Sequence, residues 1–264
     1  MFEHRARKRF GQNFLHDSHI IRRIVQAVNA RDSDHLVEIG PGQGAITEGL
    51  IATGAQLDVI ELDRDLIPGL LASFVTKPNF KLHNADALRF DFHSLAKAGE
   101  SLRIVGNLPY NISTPLIFHL LSHSELISDM HFMLQKEVVD RLAAAPGSGD
   151  YGRLSIMTQY HCQVQPLFDV PPGSFKPAPK VTSSVVRLQP YKQLPHIATD
   201  YAMLEQVVRV AFSQRRKTLR NCLKSLCDDA MLEQVAIDPQ LRPETVPLPV
   251  YVKLANLLAA QHTD

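Results

Sequence analysis

Cysteine is scarce in this chain: Cys162, Cys222 and Cys227 are all that 264 residues contain. None of them forms a C-x-x-C pair, and an odd count argues against a disulfide framework. A reducing compartment is expected, read here as a bacterial-type cytoplasm. Long apolar runs are missing too. Met1 to Phe10 is basic, but no apolar h-region follows it, and no stretch approaches the ~18 apolar residues that a membrane span needs. No membrane partner is expected. Net charge is nearly absent, at +1, so whole-chain charge gives no case for nucleic-acid binding, and such a partner has to be argued from where the charges sit. Twelve histidines invite a metal, yet His4, His16, His19 and His35 lack ligand spacing, and no metal site is expected. There is no internal repeat and no low-complexity tract.

What is present is alternation. Apolar β-rich runs at Leu36–Ile39, Leu57–Ile60, Phe80–His83, Leu102–Val105 and His131–Leu134 are separated by stretches with helical spacing. That pattern predicts an α/β fold, a Rossmann-like, mostly parallel sheet with helices on both faces. Asp17 or Ser18 is expected to cap a first helix, and Ser113 another with Pro115 in its first turn. Two later runs, Val164–Val170 and Ser184–Leu188, flank a Pro-rich segment, 171–179, that excludes a helix, so an antiparallel hairpin at the sheet edge is expected. Residues 146–150 read as a loop. Beyond Pro190 the period is helical, with Leu204, Val207, Val208, Ala211 and Phe212 as one apolar stripe. A catalytic domain over 1–194, including a basic segment at 1–16, and a small helical domain over 195–264 follow.

The fourth strand ends in Asn107-Leu108-Pro109-Tyr110. Pro109 fixes its own φ and biases Leu108 towards extended geometry, which aims the Leu108 carbonyl into a pocket. Asn107 adds an amide acceptor and Tyr110 a π-face. Such a set suits a planar, conjugated amine, whose hydrogens need acceptors and whose nitrogen turns cationic when alkylated. The first strand runs into Gly40-Pro41-Gly42-Gln43-Gly44-Ala45, where small residues let a ligand approach the backbone. Read loosely, this fits a dinucleotide fingerprint, and Glu61, at the end of strand two, suits a ribose diol in nicotinamide and adenosylmethionine sites alike. Asp86, after strand three, is placed to accept from an adenine amino group. A dehydrogenase would want a proton relay near strand four, and Asn107 to Tyr110 offers none.

These motifs, with Arg7-Lys8-Arg9-Phe10-Gly11-Gln12-Asn13-Phe14-Leu15, Met133-Leu134-Gln135-Lys136-Glu137-Val138 and Phe175-Lys176-Pro177, resemble the bacterial small-subunit ribosomal RNA adenine N6,N6-dimethyltransferases, the kasugamycin-resistance family. The resemblance spans essentially the full length. The erythromycin-resistance methyltransferases of large-subunit RNA share most of the motifs. The resemblance implies S-adenosyl-L-methionine held by Asn13, Leu15, Gly40, Glu61, Asp86 and Asn107, with Phe175 joining Tyr110 around the target base. The reaction it implies is dimethylation of N6 on two adjacent adenosines in a hairpin loop near the 3′ end of 16S rRNA, within a precursor small subunit.

The placement of charge agrees. Residues 4–16 hold Arg5, Arg7, Lys8 and Arg9 without an acid, and residues 206–227 hold Arg209, Arg215, Arg216, Lys217, Arg220 and Lys224, again without one. Arg209, Arg216 and Arg220 are expected on one helical face as phosphate contacts. The chain is expected to act as a monomer. Three other readings compete: an assembly factor for which methylation is secondary, a methyltransferase of large-subunit RNA, and an amino-group methyltransferase of DNA or protein.

Overall fold

The computed structural model describes residues 13–97, 99–109, 112–214 and 216–261. Its strands are β1 (Phe14–Leu15), β2 (His35–Ile39), β3 (Gln56–Glu61), β4 (Phe80–Asn84), β5 (Leu102–Asn107), β6 (Ile127–Gln135), β7 (Cys162–Val170), β8 (Phe175–Lys176) and β9 (Ser183–Pro190). The α-helices are α1 (Ser18–Val28), α2 (Thr47–Ile51), α3 (Ile67–Phe74), α4 (Ser113–Leu121), α5 (Lys136–Ala143), α6 (Arg153–His161), α7 (Tyr201–Ala211), α8 (Leu219–Leu223), α9 (Asp229–Gln234) and α10 (Leu248–Gln261).

Among the described residues, seven strands form one sheet in the order β4-β3-β2-β5-β6-β9-β7. The first five are mutually parallel, β9 runs antiparallel to β6, and β7 lies outside β9 at the edge. The expected Rossmann-like sheet with an antiparallel edge is therefore present. Strand order reverses between β2 and β5, and in open parallel sheets ligands bind at the carboxyl ends beside that reversal. Close spacing there depends on Gly106: a Cβ at this position would meet the Ile39 carbonyl oxygen at 2.8 Å. Both faces of the central strands are buried, with Leu36, Val37, Leu57, Val59, Ile104 and Phe132 at or near zero exposure. That is why these strands read as continuous apolar runs and not as alternation.

Asp17 caps α1, accepting from the backbone N–H groups of His19 at 2.9 Å and Ile20 at 3.2 Å. Ser113 does not cap α4. It is the first helical residue, Ile112 takes the cap position, and no side chain bonds there. The Pro-rich segment holds a short 3₁₀ turn at Pro172–Ser174, since Pro tolerates the first turn of a helix. Two-residue strands β1 and β8 pair antiparallel, Phe14 with Lys176 and Leu15 with Phe175. Beside them the His16 N–H donates to the Ser174 carbonyl at 3.0 Å, and the Ser174 hydroxyl to Asp17 at 3.1 Å.

The chain divides into two compact units. One runs to Val139 and resumes at Gln165–Pro190; the other comprises Asp140–Val164 and the residues from Tyr191 on. The second unit is discontinuous, so α6 and the second half of α5 group with the helices beyond Pro190, whereas the sequence suggests one cut near 194. Its core is helical: α7 packs against α6, α8 and α10, and of the expected stripe Leu204, Val207, Val208 and Ala211 are fully buried, while Phe212, in a 3₁₀ turn past the helix, is partly buried. The 146–150 loop lies here, with the Gly147 N–H held by the Glu244 carbonyl at 2.7 Å.

Candidate active site

A cleft opens at the carboxyl ends of β2, β3 and β5, lined by Asn13, Leu15, Glu38, Gly40, Gly42, Glu61, Asp63, Asp86, Asn107, Leu108 and Phe175, with Ile39, Ile46, Ile60 and Leu66 among its apolar walls. Every described residue that sequence reasoning assigned to cofactor or catalysis faces it. Tyr110 lies outside the described residues.

The turn after β2 is built for backbone approach. Gly40, Gly42 and Gly44 have φ of +67°, +60° and +84°, a region that other residues occupy only under strain. A Cβ on Gly42 would stand 3.1 Å from the Phe14 ring, so β1 roofs this turn closely enough that a larger residue would have to push the Phe14 ring aside.

Polar atoms are fixed by local bonds. The Asp63 N–H donates to Glu61 Oε1 at 2.7 Å. Burial raises the pKa of Glu61, while the N–H groups of Asp63, Gly42 and Leu62 oppose the shift by favouring its ionised form. Asp86 Oδ1 accepts from the Leu88 N–H at 3.0 Å, which leaves Oδ2 for a ligand. Asn107 lines the cleft, and its side-chain NH₂ donates to the Asn13 carbonyl at 3.4 Å. Leu108 is tied to β6 through its N–H and the Met133 carbonyl at 3.2 Å.

Glu38 was not among the expected site residues. It is 1% exposed on the cleft floor and accepts from the Thr47 hydroxyl at 2.6 Å. Burial pushes its pKa up to about 7, Thr47 pulls the other way, and the nearby Glu61 charge adds to the rise. Its signal was available: it is the acid that opens the glycine turn. Glu38, Glu61, Asp63 and Asp86 put four carboxyl groups in the cleft, and no Lys or Arg is among its described lining residues. Such a site favours a cation and disfavours a diphosphate.

The basic residues are arranged differently from expectation. Arg5, Arg7, Lys8, Arg9 and Arg215 lie outside the described residues. Arg209, Arg216, Lys217 and Arg220 are exposed, but α7 stops at Ala211 and α8 starts at Leu219, so no single helix carries them on one face. Arg220 also has a carboxylate partner, Asp229, at 2.5 Å and 3.0 Å. The acid-free stretch in the sequence missed it because Asp229 lies just beyond the window.

A parallel sheet of this order, with an anionic cleft at its reversal and an amide acceptor at the end of β5, defines a Rossmann-like methyltransferase. The model of the family described as ribosomal RNA adenine dimethylase matches residues 3–259, and the chain belongs to that family. It is 63% identical over 260 residues to ribosomal RNA small subunit methyltransferase A of Pseudomonas putida, covering 98% of this chain and 97% of that one. Its counterpart of the same name in Marinobacter nauticus is 60% identical over 256 residues, covering 97% and 92%. Among solved structures, a dimethyladenosine transferase from Plasmodium falciparum superposes with a TM-score of 0.78 at 27% identity, covering 91% of this chain and 95% of that one. The 23S rRNA methyltransferase ErmE gives 0.73 at 25%, covering 94% and 100%. No helix among the described residues is long and apolar enough to cross a membrane.

Proposed function

We propose that this chain dimethylates N6 of two adjacent adenosines in a hairpin loop near the 3′ end of 16S rRNA, using S-adenosyl-L-methionine, as a cytoplasmic monomer acting on a precursor small subunit. The observation that carries this reading is the joint geometry of the cleft: four carboxyl groups, a glycine turn open to backbone approach, and Asn107 and Leu108 at its end. The residues present fit that cofactor. Glu61 suits a ribose diol, Asp86 Oδ2 an adenine amino group, and Gly40, Asn13 and Leu15 present backbone to the ligand. When bound, S-adenosylmethionine supplies an electrophilic methyl on a sulfonium.

Asn107 Oδ1 and the Leu108 carbonyl accept the two hydrogens of the target amine and hold its lone pair out of conjugation with the ring. Phe175 offers an aromatic face to the base, an arrangement that stabilises positive charge developing on it. Ile39, Ile60 and Leu66 keep water from the site. The alkylated nitrogen is acidic enough to give its proton to solvent, so no general base is required. A paired base cannot enter such a cleft, and a loop adenosine reaches it at a cost of a few kcal/mol.

Outside the cleft, Arg209, Arg216 and Lys217, with Arg5, Arg7, Lys8, Arg9 and Arg215 from the sequence, supply phosphate contacts that position the RNA by shape. Arg220, also expected as a phosphate contact, is the weakest candidate because Asp229 already neutralises it. The small-subunit names of the relatives at 60–63% identity favour 16S over 23S rRNA.

Transfer of labelled methyl from the cofactor to small subunits lacking the modification tests the proposal. Label is expected in the 3′-terminal hairpin, with about two molecules of dimethyladenosine per particle, and Asn107→Ala is expected to lower kcat by 10²-fold or more. Label confined to large subunits or to protein would overturn it.

A further inference from the structure

On the opposite side of the sheet from the cleft, the described residues bring together His93, His123 and Glu125, whose ligand atoms all lie within 4.8 Å of one another. Helix α4 starts after the carboxyl end of β5 and returns to where β6 begins, so His123 and Glu125 lie at the amino ends of the strands. His93 comes from the connection between β4 and β5. The His93 and His123 rings meet edge-on with centroids 5.3 Å apart, and His93 Nε2 stands 3.7 Å from Glu125 Oε1.

His119, one helical turn before His123, packs its ring against it at 5.0 Å and 89°. Phe92, fully buried, touches both His119 and His123 at 5.8 Å and 6.0 Å. Asp91 holds the turn that carries His93, accepting its N–H at 3.0 Å. His123 is therefore backed by two rings, while His93 and Glu125 are more than half exposed. The His119-x-x-x-His123 spacing is a ligand-type spacing that the sequence expectation of no metal passed over.

We propose that His93, His123 and Glu125 form a site for a divalent transition metal of the zinc type, with solvent completing the coordination. Neutral imidazole nitrogens and one carboxylate are a borderline donor set that suits Zn²⁺, Ni²⁺ or Cu²⁺, whereas Mg²⁺ and Ca²⁺ demand oxygen ligands. Around a tetrahedral ion with bonds of ~2.0–2.1 Å, ligand atoms stand roughly 3.4 Å apart. The His93–Glu125 pair is already near that separation, and rotation of two exposed side chains closes the rest. A bound ion ties the β4–β5 connection to the end of α4, and acts on stability with no part in methyl transfer.

The test uses the full chain, stripped with chelator and titrated with Zn²⁺ against a chromogenic competitor, beside His93→Ala, His93→Gln and His123→Ala. Far-UV circular dichroism controls for folding, and His93→Gln, at an exposed position, guards against misfolding. One zinc site is expected in the wild type, weakened at least tenfold in each variant. Zn²⁺ is expected to raise the melting temperature of the wild type only, with methyl transfer equal in all four proteins. Equal zinc affinity and stoichiometry in wild type and folded variants, or an equal rise in melting temperature, would overturn the proposal.

Discussion

Glu38 is where a single residue departs furthest from its ordinary chemistry. In an unfolded chain it ionises near 4.5, and in the fold burial moves this to about 7. Between those values the folded state holds the extra proton, so this group's contribution to stability falls as pH rises through the window and stays lost above it. His131 works in the opposite sense. Buried and held neutral down to about 4, it contributes stability above its ordinary value of 6.5 that is lost as pH falls. The two oppose each other near pH 5–6 and mask one another in the wild type alone. Glu38→Gln exposes the first: relative to wild type it should gain about 1–3 kcal/mol in urea unfolding between pH 5 and pH 8. A difference that stays flat with pH would mean Glu38 does not titrate in this range. At this scale the sequence was legible in where motif residues would fall, since Glu61, Asp86 and Asn107, read at strand ends, do line the cleft. It was silent on the consequences of burial, as with the raised pKa of Glu38, whose place at the head of the glycine turn was nevertheless visible, and on partners from another element, as with Asp229 beside Arg220.

The elements read most clearly where hydrophobicity makes them. Strands β2, β3, β5 and β6 are buried on both faces, and their apolar runs stand out from the polar helix surfaces. Strands β1 and β8 are too short for any period; Phe14–Leu15 and Phe175–Lys176 become strands only because the tertiary fold sets them side by side. The missed cap at Ser113 is similar, since Ser at a helix start reads alike at the cap and one position later. The spacing of β2 and β5 rests on Gly106, and a prediction belongs to it. Gly106→Ala sets a methyl against the Ile39 carbonyl, which must move, and should cost about 1–3 kcal/mol in urea unfolding. Since Gly40 and Asn107 flank that contact, calorimetric affinity for S-adenosylmethionine should fall as well. A variant that matches wild type in both would show that the two strands have slack.

For the whole molecule, charge matters by its location. A net +1 is spread as an anionic cleft in one unit and exposed basic residues in the other. If Arg216 and Lys217 meet phosphates, their joint replacement by Ala should lower the slope of log affinity against log salt for small subunits by about 1–2. Arg220→Ala, already neutralised by Asp229, should leave that slope unchanged. Equal slopes in all three proteins would remove α8 and its approach from the RNA contact. The two-unit division itself was only partly visible in sequence, because the chain enters the second unit, leaves it and returns, and no linker composition marks the first crossing. A different consequence follows from the pairing of Leu15 with Phe175. The roof over the glycine turn is completed by residues at opposite ends of the catalytic unit, so a chain still being synthesised cannot close it until β8 has left the ribosome. At synthesis rates of 5–20 residues per second, that is a delay of roughly 8–32 s after Leu15 itself has left the ribosome. During that time the parallel core can form, but its cofactor cleft stays roofless. A growing chain is thereby kept from closing its cofactor cleft until about two thirds of its 264 residues have been made.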